Sequence, residues 1–215
     1  SNISSTVEVW DAQNGGYVNY NCSADAGTGL TDGYIAPHQA FFVKATKLPS
    51  NGSVSLSVGD ITNVQTNSAG FFQKSKPEET EKPPAAKLRL ALEGFEHSTA
   101  VAFLDSSKVS LEDTDSYFFG GTGAGGGLAL YSVLQDGTGI SVNSLPRDLN
   151  EDKTIPLKVD GCYYGTPLSG EATFTWPMMR NLPAGWAFIL EDTKTGEKVD
   201  LRSTSEYSVS YDGTC

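Results

Sequence analysis

Thr6-Val7-Glu8-Val9-Trp10, then Asp11-Ala12-Gln13-Asn14-Gly15-Gly16, then Tyr17-Val18-Asn19-Tyr20-Asn21 is the stretch whose reading decides the fold class. Its outer pieces alternate side chains with the two-residue period of a strand that has one buried face. The piece between them is rich in turn residues, and Asn-Gly-Gly tolerates the positive φ that tight hairpin turns require. The stretch predicts a β-hairpin.

The same signal recurs outward from it. A glycine-rich loop follows at about 25–33, then the runs 40–45 and 53–58, separated by Pro49, Asn51 and Gly52. Further strands are predicted at 88–93, 100–104, 128–134, 139–143, 154–159, 171–176, 186–191, 197–201 and 206–211. Asp136-Gly137 predicts one more hairpin turn, and Asp192-Thr193-Lys194-Thr195-Gly196 another. No segment carries a 3.6-residue apolar period, so very little helix is expected. Short strands at regular spacing predict an all-β chain, an antiparallel β-sandwich of jelly-roll or immunoglobulin-like form.

Residues 73–87 break the pattern, being charged, proline-containing and nearly free of large apolar side chains. Such a composition suits an exposed linker or a long loop of one domain. The organisation expected is a β-rich unit over 1–72, a linker or loop over 73–87, and a β-sandwich over 88–215 that lacks its last strand.

The 26 acidic against 15 basic residues leave a net charge of −11 over 215 residues. That balance repels phosphate backbones and argues against a nucleic-acid partner. No apolar run reaches the length of a membrane-spanning helix. The chain opens at Ser1 without a basic, then apolar, leader, which predicts a mature or trimmed N-terminus. The three cysteines lack zinc-site spacing. A Cys162–Cys215 disulfide and three unbridged thiols are both open readings, Cys22 being the third.

Little in the sequence looks catalytic. The histidines, His38 and His97, have no acidic or cysteine neighbour at ligand spacing, and no Gly-x-Ser-x-Gly elbow is present. The run Gly120–Gly127 lacks the Lys-Ser/Thr ending of a phosphate loop and reads as a flexible loop. Glu112, Asp113 and Asp115 form an acidic cluster that fits either a calcium site or a solvated loop. Trp10, Trp176 and Trp186 fit either core packing or sugar stacking. Trp10, Tyr17, Tyr20, Tyr163 and Tyr164 are the candidate ligand-binding residues, the last two in a turn.

Several blocks resemble a recurrent region of Bacteroidetes secreted proteins, found upstream of type IX secretion sorting domains. They are Val7-Glu8-Val9-Trp10-Asp11, Gly16-Tyr17-Val18-Asn19-Tyr20-Asn21 and Gly33-Tyr34-Ile35-Ala36-Pro37-His38-Gln39-Ala40-Phe41-Phe42-Val43-Lys44-Ala45. Asp115-Ser116-Tyr117, Ile155-Pro156-Leu157, Ala172-Thr173-Phe174-Thr175-Trp176, Leu190–Gly196 and Val199-Asp200-Leu201-Arg202 extend the likeness. The segment that usually precedes the first block is absent, as are the usual final strand and sorting domain. The resemblance implies an extracellular or cell-surface module without catalytic residues, with neighbouring domains or other surface proteins as partners. The expected function is structural or adhesive. The alternatives are a polysaccharide-binding module of a degrading enzyme and a subunit of an extracellular filament or sheath.

Overall fold

A computed structural model describes residues 3–11, 16–30, 33, 35, 39–46, 52, 64–65, 72–73, 82–105, 114–119, 126–213 and 215. Among these, all regular structure is β. The first strands are β1 (Ile3–Asp11), β2 (Gly16–Asn21), β3 (Ala26–Gly27), β4 (Phe42–Ala45), β5 (Val64–Gln65) and β6 (Phe72–Gln73). Then come β7 (Ala85–Leu92), β8 (Phe95–Leu104), β9 (Ser116–Tyr117), β10 (Gly126–Val133), β11 (Gly139–Pro146) and β12 (Leu157–Tyr163). Last are β13 (Thr166–Pro167), β14 (Ser169–Arg180), β15 (Ile189–Glu191), β16 (Lys198–Asp200) and β17 (Glu206–Asp212).

Two sheets dominate. The smaller runs β3-β2-β1-β4, and the opening hairpin lies at its centre with Trp10 opposite Tyr17. The larger has nine strands in the order β13-β12-β10-β11-β8-β7-β14-β17, with β9 added on β11. It curls into a nearly closed barrel. Its two ends are laced where Leu168 N–H donates to Gly161 O (3.0 Å) and Gly213 N–H donates to Leu168 O (2.9 Å). A disulfide between Cys162 and Cys215 joins the same two ends.

Two expectations are corrected in detail. The described pairings are antiparallel except that of β8 with β11, which is parallel, Val142 opposite Ala100. A parallel neighbour needs a long crossover, and the chain between Leu104 and Gly139 supplies it while contributing β9 and β10 on the way. Residues 85–87, assigned by composition to the linker or loop, begin β7. Ala85 and Ala86 are buried, and Phe103 N–H donates to Pro84 O at 2.9 Å. Small apolar side chains after two prolines start a strand here because a neighbouring strand supplies the missing ladder. The run 53–58 lies outside the described residues.

The barrel interior follows from the period-two pattern. Leu88, Leu90 and Leu92 of β7 meet Leu128 and Leu130 of β10, with Leu168, Ala172 and Leu201 completing the cluster. Each such leucine contributes about 1.5–3 kcal/mol by leaving water. Phe188 and Leu190, from the segment leading into and through β15, pack on the same core. The outer face is built differently. Ala85, Ala100, Ala102 and Val142 meet Ala26 of β3 and Ala24 in the turn before it, and such short side chains let the two layers approach closely.

Around that alanine patch the layers are joined by polar groups, each satisfied locally as burial demands. The Thr6 and Ser116 hydroxyls lie 2.6 Å apart. Asn21 is fully buried; its Nδ2 donates to Ser116 Oγ (3.0 Å), and its Oδ1 accepts from the Ser23 and Ala24 amides (3.0 Å each).

Arg180, at the end of β14, reaches across the joint. It donates to Ala24 O (3.2 Å), Asp25 O (3.1 Å), Asp25 Oδ2 (3.2 Å) and Pro83 O (3.1 Å). Lys82 Nζ lies 2.8 Å from the same Asp25 carboxylate. Burial alone would raise the Asp25 pKa, but hydrogen bonds from Lys82 and Tyr20, with the charges of Lys82 and Arg180, hold it below the usual range. That stabilisation is complete above the ordinary carboxylate pKa and is lost as pH falls through the lowered one. Replacing Arg180 by methionine keeps the stem and removes every one of these bonds. Urea unfolding is expected to show a loss of about 2 kcal/mol. An unchanged midpoint would mean that apolar contact alone holds the layers.

Candidate functional site

The ends of β1 and β2 carry an aromatic group that the hairpin register itself assembles. Trp10 and Tyr17 are cross-strand partners with ring centroids 5.1 Å apart at 71°. Phe42 of β4 faces Tyr17 at 5.7 Å and 85°. Phe119, just past β9, approaches the same Tyr17 ring at 6.2 Å and 53°. Tyr17 is thus the hub of four rings drawn from both layers. Phe42 and Phe119 stay 49% and 38% exposed, and Phe41 beside them 38%.

Next to this group lies a recess of about 150 Å³ between the layers. Tyr17, Phe118 and Phe119 form ring walls, Asp11 and Glu96 bring carboxylates, and Ser98 and Thr28 bring hydroxyls. Phe118 is held in place by stacking on Tyr131 at 4.1 Å and 7°.

His97 also borders the recess, but it is committed to the sheet. β10 pairs with β11 only at Ser132 and Val133, which leaves its earlier half without a strand on that side. The His97 imidazole fills the gap, Nδ1 accepting from Leu130 N–H at 3.1 Å. Burial pushes the ring below the usual histidine range, favouring the neutral form that this acceptor role needs.

No family model matches this chain, and neither a curated protein nor a solved structure does.

The sequence-based candidates separate in space. Trp10 and Tyr17 come together, but Tyr20 pairs with Val7 three positions away, on the opposite face, where its hydroxyl donates to Asp25. Tyr163 and Tyr164 sit at the turn between β12 and β13, 44% and 73% exposed, in edge contact at 4.7 Å. Tyr163 also meets Phe95 at 5.1 Å. They form a second aromatic spot, apart from the lining of the recess. Asp115 is buried and accepts the Ser144 amide at 2.7 Å, a structural use of one carboxylate oxygen. Glu112, Asp113 and His38 lie outside the described residues. Among the described residues no group of three His, Cys, Asp or Glu is placed to hold a metal.

Sequence reading missed Phe42, Phe118, Phe119 and Glu96. The first sat in an apolar run that resembles any core strand, and Phe118-Phe119 stood before a glycine-rich run. Phe42 comes to Tyr17 through the pairing of β4 with β1, whereas Phe118, Phe119 and Glu96 come through the packing of β8 and β9 against the small sheet.

Proposed function

We propose that this chain is a non-catalytic extracellular module with a structural or adhesive role in a larger surface protein of the Bacteroidetes type it resembles. The observation that carries this reading is the exposed pair Phe42 and Phe119 around Tyr17, with exposed Phe41 next to Phe42 in the chain. Contiguous exposed apolar surface rimmed by polar residues marks an interaction site, and aromatic rings supply most of the contact energy at such sites. The partner is a neighbouring domain or another surface protein. The Cys162–Cys215 bridge supports the compartment, because disulfides persist where the medium is oxidising. Two sheets packed face to face across the alanine patch support the sandwich description, within which jelly-roll and immunoglobulin-like forms remain proposals.

Polysaccharide is the second reading, favoured by the exposure of Tyr164 and Tyr163 at a turn. The two separate by substitution. With Phe42 and Phe119 both changed to serine, retention on isolated cell envelopes is expected to fall about tenfold, the size of one lost aromatic anchor. Tyr163→Ser with Tyr164→Ser should leave it unchanged. The reverse pattern on a polysaccharide affinity gel selects the second reading. Concentration-dependent fibres in negative stain would replace both by a filament subunit.

A further inference from the structure

We propose that the recess beside Tyr17 binds a small organic cation, an alkylated ammonium group of the choline type. Ring orientation is the first reason. A sugar face stacks on a broad exposed ring or on rings lying in one plane, but the recess is walled by Tyr17, Phe118 and Phe119, and Phe119 stands at 53° to Tyr17. Tilted rings make the walls of a cage, and their negative π-faces attract a cation wherever it sits between them.

Charge is the second reason. Asp11 and Glu96 line the recess, and no lysine or arginine does so among the described residues. His97, at its border, is pushed toward its neutral form by burial and is tied up in its hydrogen bond with Leu130. Arg89 lies 3.7 Å from one Glu96 oxygen, but both side chains are about half exposed, so that pair is weak and leaves Glu96 available. The chain as a whole carries −11, which adds long-range attraction for a cation and repels anions.

Size is the third. About 150 Å³ is the volume of an apolar cavity that admits a benzene-sized guest, comparable to a trimethylammonium head. A larger ligand must leave its remainder outside, over the exposed Phe119. A metal ion is a poor fit, because hard cations want several oxygens and gain little from ring walls.

The inference stands apart from the surface-module reading. A chain that takes choline but ignores cell envelopes would keep the first and lose the second, and the converse result would do the opposite. The test is an amide-shift titration of the intact chain with choline chloride. The controls are its neutral carbon isostere dimethylbutanol, and cellobiose. Saturable shifts at Gly29, Ser98 and Ala129 are expected with choline, at least about fivefold weaker with the isostere, and none with cellobiose. Tyr17→Leu and Asp11→Asn should each weaken choline about two- to fivefold. Phe119→Leu, at a more exposed ring, repeats the test should Tyr17→Leu misfold. Equal binding of the isostere, saturation by cellobiose, or no choline response would each overturn the assignment.

Discussion

Replacing Glu8 by glutamine is expected to stabilise the chain strongly at alkaline pH and hardly at all in acid. Glu8 lies in the centre of the small sheet, between Asn19 of β2 and Phe42 of β4, and is 3% exposed. Alternation turns its side chain to the same face as Thr6, toward the barrel. Removal from water raises its pKa from the ordinary 4.5 to about 8, and burial alone accounts for the rise. The folded chain therefore keeps a proton that the unfolded chain releases across this window. Stability contributed by the neutral carboxyl is complete below 4.5, declines as pH rises, and is gone above about 8. Each pH unit is worth about 1.4 kcal/mol, so the ceiling on the loss is about 4–5 kcal/mol. Glutamine has the same shape and no proton to lose. Denaturant unfolding of both proteins across that range should give curves that meet in acid and diverge steadily toward alkali. Parallel curves would refute the assignment and imply that water reaches the carboxylate.

Glu8 also marks the boundary between what sequence reveals and what it hides. Its position on a strand was legible from alternation, as were those of Trp10, Tyr17 and almost every strand from β7 onward. Local rules suffice there, because a side chain's direction in a strand is set by its parity and the turns by residues such as Asp136-Gly137. What local rules do not carry is the identity of the neighbour. In Thr6, Glu8, Asn19 and Asn21 the polar side of the first hairpin reads as its solvent face, yet those side chains are buried, and Thr6 and Asn21 meet Ser116 of β9. The turn at Glu93-Gly94 carries no Asn-Gly or Asp-Gly signal and is closely flanked by apolar residues, yet both residues take positive φ, 49° and 87°. The candidate site was legible in the same measure. Trp10 and Tyr17 belong to one hairpin and could be paired by register, whereas Phe42, Phe119 and Glu96 reach them only through long-range topology.

Breaking the bridge between Cys162 and Cys215 is the other large effect expected. The two residues are 53 positions apart, and the cross-link removes the freedom of that whole loop from the unfolded chain. In the chain-entropy model a loop of this length is worth about 4 kcal/mol. The folded side adds to this, because the bridge joins β12, next to the end strand β13, to the chain just past the other end strand β17, in a sheet that closes through few backbone bonds. Changing both cysteines to alanine should therefore lower the unfolding free energy by about 4 kcal/mol, and hydrogen exchange should rise first along β17. Cys22, exposed at the turn after β2, lies outside the bridge, so Cys22→Ala should leave stability within about 0.5 kcal/mol. Glu8 belongs to the other layer, and its contribution should add to that of the bridge. A chain lacking both should thus lose about 4 kcal/mol to the missing bridge and still show the flat pH response of the glutamine variant. If the unreduced protein instead alkylates at all three cysteines, or the double alanine variant unfolds at the wild-type midpoint, the sheet closes without its bridge. The argument for an oxidising compartment then falls with it.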